Sequence, residues 1–202
     1  MKKILLACAL EREIKDLRQF YNEHKDNFSY EAAFLVMGYG RSNAVKTLIK
    51  TLMKNKYDLL INIGTCGVKV KNGQKNYPIG KLIEPSEIYD GDFCLENEFR
   101  KISLTTNKFA DNLPLVTISS FGRYDSYMNT SYIEDMEGYE IANVCLSFNQ
   151  PFKIIKVISN HITDNPENDL TEFYENCEKV MHSNTENIFT KLHINKNVFA
   201  NI

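Results

Sequence analysis

The chain has no tryptophan, and its 202 residues include only four histidines, five cysteines, five prolines and nine glycines. The cysteines (Cys8, Cys66, Cys94, Cys145, Cys177) are odd in number, widely spaced and never arranged as CxxC. That argues against a disulfide framework and against a zinc site. His24, His161, His182 and His193 show no metal-ligand spacing, so no metal is expected. An excess of positive charge is missing too: 24 Lys and Arg stand against 26 Asp and Glu, a net charge of −2. Such a chain has no global pull towards nucleic acid or an anionic membrane. No apolar run approaches the roughly 18 residues needed to span a bilayer. Residues 1–10 resemble a short leader, but the apolar part is only seven residues long and runs straight into Glu11-Arg12-Glu13. The stretch reads instead as a buried first strand of a cytoplasmic protein. Repeats, low-complexity tracts and Pro/Gly/Ser linkers are absent, which points to one domain over residues 1–202.

What is present is an alternation of apolar runs with amphipathic stretches. Residues 3–9, 32–37, 57–63, 80–85, 87–89, 115–119 and 152–158 read as strands, the third stopped by Gly64. Helical spacing marks residues 11–21, 42–54, 133–148 and 168–192. Strands that are apolar at every position, alternating with helices, imply a sheet covered on both faces. Ligands of such folds gather at the carboxyl ends of the strands. Those ends carry Glu11-Arg12-Glu13, Gly38-Tyr39-Gly40-Arg41, Gly64-Thr65-Cys66-Gly67, Ser119-Ser120 and Ser159-Asn160-His161.

Each motif has a plain reading and a chemical one. Neither glycine turn is the GxGxxG of a dinucleotide fold or the GxxxxGK[ST] of a P-loop, and each alone reads as a tight turn. Asp135-Met136-Glu137-Gly138 suits a sugar, with a carboxylate for two hydroxyls and a thioether under the ring. The same residues also suit a solvated helix start. Glu13 is either a first-turn carboxylate or a base that activates water. His161 and Asp164 are nearby acids or simply solvated loop residues.

Taken in order, the motifs resemble the nucleoside phosphorylase and nucleosidase superfamily, on the branch of methylthioadenosine/S-adenosylhomocysteine nucleosidase and futalosine hydrolase. Residues 6–14 are similar to its first strand and Ala-Met-Glu-Glu-Glu turn, and residues 38–41 to its Gly-Ile-Gly-Lys turn. Residues 61–67 resemble Asn-Thr-Gly-Ser-Ala-Gly, and residues 79–92 a Val-Gly-Asp-Ile-Val segment followed by Asp-x-Asp. Glu134-Asp135-Met136-Glu137-Gly138 resembles the Glu-Met-Glu sugar motif, and residues 151–160 the Pro-Phe…Ile-Ser-Asp strand. The family's base-stacking loop would fall within residues 92–131.

The resemblance implies a three-layer α/β/α sandwich with a twisted mixed sheet, a homodimer and no cofactor. It implies cleavage of the N-glycosidic bond of a small-molecule purine nucleoside through a cationic, ribooxocarbenium-like transition state. By match, Glu137 binds the ribose 2′- and 3′-hydroxyls and Met136 packs on the sugar. Glu13 positions and deprotonates water. Thr65, Cys66 and Gly67 approach sugar and base through the backbone, while Ser159 and Asn160 face the purine. The family's acid at this last place is an aspartate. Asn160 cannot give up a proton, though its amide can hydrogen-bond a 6-oxopurine. Val68 replaces a glycine, and the phosphorylases' phosphate-binding loop and the Arg before their Gly-Ser-Cys-Gly have no counterpart, which favours water over phosphate. Two alternatives stay open: a phosphorylase using Arg41 or Arg123, and a catalytically weak nucleoside-binding domain.

Overall fold

The structure, a computed structural model, describes residues 1–71, 76–95, 98–104, 113–119 and 129–194. Along the chain run β1 (Lys2–Cys8), α1 (Glu11–His24), β2 (Tyr30–Val36), α2 (Arg41–Lys54), β3 (Leu59–Lys69), β4 (Leu82–Ile83) and β5 (Glu87–Leu95). There follow β6 (Glu98–Ser103), β7 (Leu115–Thr117), β8 (Tyr132–Asp135), α3 (Gly138–Ser147), β9 (Phe152–His161) and α4 (Pro166–Ile194).

The two faces of β1 supply two separate cores. Ile4, Leu6 and Cys8 pack with Ile14 and Leu17 of α1 and with Met181 and Phe189 of α4. Leu5 and Ala7, one residue out of phase, pack with Ala44 and Leu48 of α2 and Ile141 and Cys145 of α3. Side chains alternate across a strand, so an all-apolar strand requires a helical layer on each side. β3 repeats the division, with Leu59, Ile61 and Ile63 on the α1/α4 side and Leu60 on the other. The expected α/β/α sandwich is therefore the observed one.

The sheet is ordered β2-β1-β3-β8-β7-β5-β6, and β9 pairs with both β3 and β4. It is mixed: β1–β2, β1–β3, β3–β9, β5–β7 and β7–β8 are parallel, while β3–β8, β4–β9 and β5–β6 are antiparallel. β3 is central and has three partners. β1 flanks its first half, β9 runs beside it from Leu60 to Val68, and β8 takes the edge beyond β1 by pairing with Gly67, Val68 and Lys69. No helix among the described residues is long and apolar enough to cross a membrane.

Three expectations change. Gly64 does not stop β3, which runs on to Lys69. A Cβ at Gly64 would lie 3.2 Å from Glu13 Oε1, so the glycine makes room for that carboxylate within the strand. Helical spacing from Ile133 misleads, because Tyr132–Asp135 is strand β8, buried between β3 and β7, and α3 begins only at Gly138. Pairing on both sides outweighs a spacing that a short apolar run satisfies by accident. Ser159, Asn160 and His161 belong to β9 rather than to a loop. Residues 105–112 and 120–128, including Arg123 and much of the expected base-stacking stretch, lie outside the described residues.

Candidate active site

A cavity of about 430 Å³ lies at the carboxyl ends of β1, β3, β8 and β9. Seven of the eight sequence-chosen residues line it: Glu13, Thr65, Cys66, Gly67, Met136, Glu137 and Asn160. Ser159 does not.

Glu13 stands in the first turn of α1 and bridges it to β3. Its Oε2 accepts hydrogen bonds from the Ala9 and Leu10 N–H groups at 3.2 and 3.0 Å. Its Oε1 accepts from Thr65 N–H at 2.8 Å and Thr65 Oγ1 at 2.7 Å. The carboxylate is thus locked against the chain where it lines the cavity. Cys66 is no rival nucleophile, since burial pushes its thiol far above its ordinary range.

Glu137 sits at the N-cap position of α3 and its side chain reaches the turn after β2, where Gly40 N–H donates to its Oε1 at 2.6 Å. Gly40 has φ +85°, a left-handed backbone that glycine adopts without strain and that aims this N–H inward. Burial, with the Asp135 charge beside it, raises the Glu137 carboxyl to about 7, against the opposing pull of Lys156 and the Gly40 N–H. Asp135 is held from three sides, by Lys156 Nζ at 2.7 Å, Thr117 Oγ1 at 2.7 Å and Gly138 N–H at 2.9 Å. Burial works against the Lys156 charge, but Asp135, Glu137 and Glu13 outweigh it and keep the ammonium protonated.

Between Cys66 and Gly67 the β3–β9 register slips by one residue: Cys66 faces Ile158 and Gly67 faces Asn160. Ser159 is the extra residue of this bulge, which re-aims the strand end. Its hydroxyl turns inward, lying 3.2 Å from Cys66 O and 3.0 Å from Asn160 Oδ1. With its oxygen engaged, the Asn160 amide presents its NH₂ over Gly67, 3.1 Å from where a Cβ there would sit. His161 is bound to Glu172 through its own N–H at 2.6 Å and does not line the cavity. Asp164 also lies outside it, an exposed residue paired with Lys69 at 3.4 Å.

The cavity wall holds five carboxyl side chains, Glu13, Glu134, Asp135, Glu137 and Asp169, against one cation among the described residues, Arg12. Arg12 lies over the Tyr174 ring at 5.4 Å. Arg41, a candidate phosphate ligand from sequence, is outside the wall, with both terminal nitrogens engaged. Its guanidinium meets Asp90 at 2.7 Å, Asp92 at 3.1 Å, Glu140 at 2.9 Å and Thr117 O at 2.6 Å. A pocket wall with surplus carboxyl groups favours positive charge developing inside it. Sequence reading passed over Lys156 and assigned no role to Glu134. A lysine inside an otherwise apolar, doubly covered strand was a usable signal, because a buried ammonium requires a buried partner.

No protein-family model and no curated protein matches the chain. Solved structures do match in fold. An apo 5′-methylthioadenosine nucleosidase from Arabidopsis thaliana is 18% identical, with 100% of this chain and 99% of that one covered and a TM-score of 0.78. An Asp-to-Asn variant of an MTAN from Chlamydia trachomatis, bound to MTA, is 22% identical over 95% and 98%, with a TM-score of 0.74. A futalosine hydrolase mutant from Helicobacter pylori is 14% identical over 97% and 100%, with a TM-score of 0.75. At these identities the likeness is one of fold.

Proposed function

We propose that the chain is a nucleosidase, a single domain over residues 1–202 that hydrolyses the N-glycosidic bond of a purine nucleoside or nucleoside thioether to free base and sugar. The observation that carries this reading is the surplus of buried carboxylates around Glu137 and Glu13 in one cavity. Glycosidic cleavage makes the sugar cationic, and an acidic wall stabilises that charge more than the neutral ground state. Glu137 accepts from the ribose hydroxyls, and Met136 packs on the ring. Glu13 orients water and takes its proton. Thr65, Cys66 and Gly67 bring backbone close to sugar and base. Asn160 hydrogen-bonds the purine, with Ser159 setting its amide from behind.

Water is favoured over phosphate because Arg41 is already shared among three carboxylates and an acidic wall repels a phosphate dianion. Asn160 favours a second reading, a domain that binds a nucleoside and turns it over weakly. A cytoplasmic location suits the free, buried thiols of Cys8, Cys66, Cys145 and Cys177. The homodimer implied by the family resemblance is read by light scattering at micromolar concentration.

The deciding experiment offers methylthioadenosine, S-adenosylhomocysteine, inosine, adenosine and futalosine, with and without phosphate, and follows base release. Free ribose product in both conditions supports hydrolysis, and ribose 1-phosphate supports the phosphorylase. Tight binding with no turnover over hours supports the binding domain. Glu137→Gln is expected to lower turnover by roughly 10²-fold or more, as loss of a transition-state charge partner does.

A further inference from the structure

Of the five carboxyls in the cavity wall, four have clear occupations. Glu13 accepts four hydrogen bonds. Asp135 is bound by Lys156, Thr117 and Gly138. Asp169 accepts from Thr163 N–H and Oγ1, with distances of 2.6 to 3.2 Å. Glu137 accepts from Gly40 N–H. Glu134 is only 8% exposed, and its Oε1 is buried with no hydrogen-bond partner among the described residues.

Its place in the sheet gives the side chain a direction. Gly67 of β3 stands opposite Glu134 on one side and opposite Asn160 on the other. Residues directly paired across strands project from the same face, and two strand spacings cover roughly 10 Å. Glu134 and Asn160 therefore flank Gly67, over which Ile162 packs, its side chain 2.9 Å from where a Cβ there would sit. All three strand residues line the cavity.

We propose that Glu134 is the acid that protonates the departing purine, working from β8 where Asn160 on β9 has no proton to give. This rests on the nucleosidase reading and adds to it. The C1′–N9 bond breaks with its electron pair moving to the purine, and the Glu134 carboxyl proton passes to a purine ring nitrogen, so the base leaves neutral. Water adds its oxygen to C1′ and gives a proton to the Glu13 carboxylate. One proton is spent and one gained, and solvent resets the two carboxyls before the next turnover. Asn160 donates a hydrogen bond to the same base without a change of charge.

The surroundings suit an acid that is protonated near neutrality. Burial raises the Glu134 carboxyl to about 7, and the charges of Asp169 on α4 and Asp135 on β8 act in the same direction. Tyr132 on β8, by hydrogen bond, and Lys69 on β3, by charge, pull it the other way. Turnover should thus fall as pH rises past about 7, because the active form is the protonated one.

The test is Glu134→Gln, an isosteric change that removes the proton, assayed in the full chain on methylthioadenosine and inosine and on 4-nitrophenyl riboside. The last loses a phenolate that needs no protonation. We expect base release to fall by roughly 10²-fold or more, nitrophenol release to change by less than about tenfold, and the alkaline fall in the pH profile to disappear. Glu134→Asp, which keeps a proton, should recover part of the purine rate. Equal losses on both substrate types, or a Gln variant with the wild-type purine rate and pH profile, overturn the assignment and leave the nucleosidase reading standing. A wild-type protein silent on every substrate overturns both.

Discussion

Arg41 and Lys156 are both cations held among carboxylates, but the balance of charge around them differs. Arg41 forks between Asp90 of β5, the neighbouring Asp92 and Glu140 of α3, pinning the start of α2 to the sheet. Those three carboxylates keep the guanidinium charged in spite of its partial burial. Lys156 is a point charge with one direct partner, Asp135, while Glu137 and Glu134 lie farther along the same wall without a salt bridge of their own among the described residues. Thr117 joins the two groups. Its carbonyl accepts from Arg41, and its hydroxyl donates to Asp135 and accepts from Tyr139 N–H. One cluster is neutralised at a rim and fastens elements together. The other leaves Glu134 and Glu137 facing a cavity without a salt bridge among the described residues, and burial raises both to about 7.

The largest expected effect follows from breaking the second cluster. Lys156→Met leaves Asp135 buried without its counter-charge and should cost about 3–5 kcal/mol in urea unfolding, since the orphaned partner carries most of the penalty. Arg41→Met should cost about 2 kcal/mol, because Asp92 and Glu140 retain exposed edges that water can reach. Asp135→Asn added to Lys156→Met should recover part of the loss by removing the stranded charge. Equal costs at the two cations would erase the distinction drawn between the clusters.

A smaller effect appears in pH dependence. The Glu134 and Glu137 carboxyls are raised to about 7 in the folded chain, from an ordinary value of 4.5. A raised carboxyl favours folding while protonated, so its contribution is complete below pH 4.5 and is lost as pH climbs through 7. For Glu134 the loss amounts to about 3 kcal/mol. Urea midpoints should therefore decline across this window, and Glu134→Gln should flatten the decline. A midpoint that rises from pH 5 to 7 in the wild type would show that both carboxyls are ionised at little cost.

Much of this was legible in the chain because its central strands are apolar on both faces. β1 and β9 could be placed from composition alone, and their polar ends marked the cavity. What escaped depends on partners that periodicity does not encode. β8 is four residues long, and Ile133, Met136 and Ile141 mimic a helical stripe across what is a strand, a turn and a helix start. The bulge at Ser159 exists only relative to β3, so no reading of β9 alone separates the inward hydroxyl from the cavity-facing amide. Glu134 was overshadowed by Glu137, the residue that the family resemblance singles out, and its significance depends on lying across Gly67 from Asn160.

The smallest expected effect tests that bulge. Ser159 is completely buried, and its hydroxyl hydrogen can serve Cys66 O or Asn160 Oδ1 but not both at once. As long as Asn160 Oδ1 is engaged, the NH₂ is the half of the amide that faces the cavity. Under the proposed function it then meets ring nitrogens and a 6-oxo oxygen as a donor. Ser159→Ala removes the restraint and lets the amide rotate, so an acceptor faces the base for part of the time. Stability should drop by about 1 kcal/mol, the ordinary value of one buried hydrogen bond. KM should rise by roughly threefold to fivefold with kcat nearly constant, because the restraint orients a binding group and takes no part in proton transfer. Inosine should suffer more than methylthioadenosine, since hypoxanthine offers a second acceptor, O6, to the same NH₂. Were kcat to fall with KM unchanged, Ser159 would have to act in the chemical step itself, and the assignment of a purely orienting hydroxyl would fail.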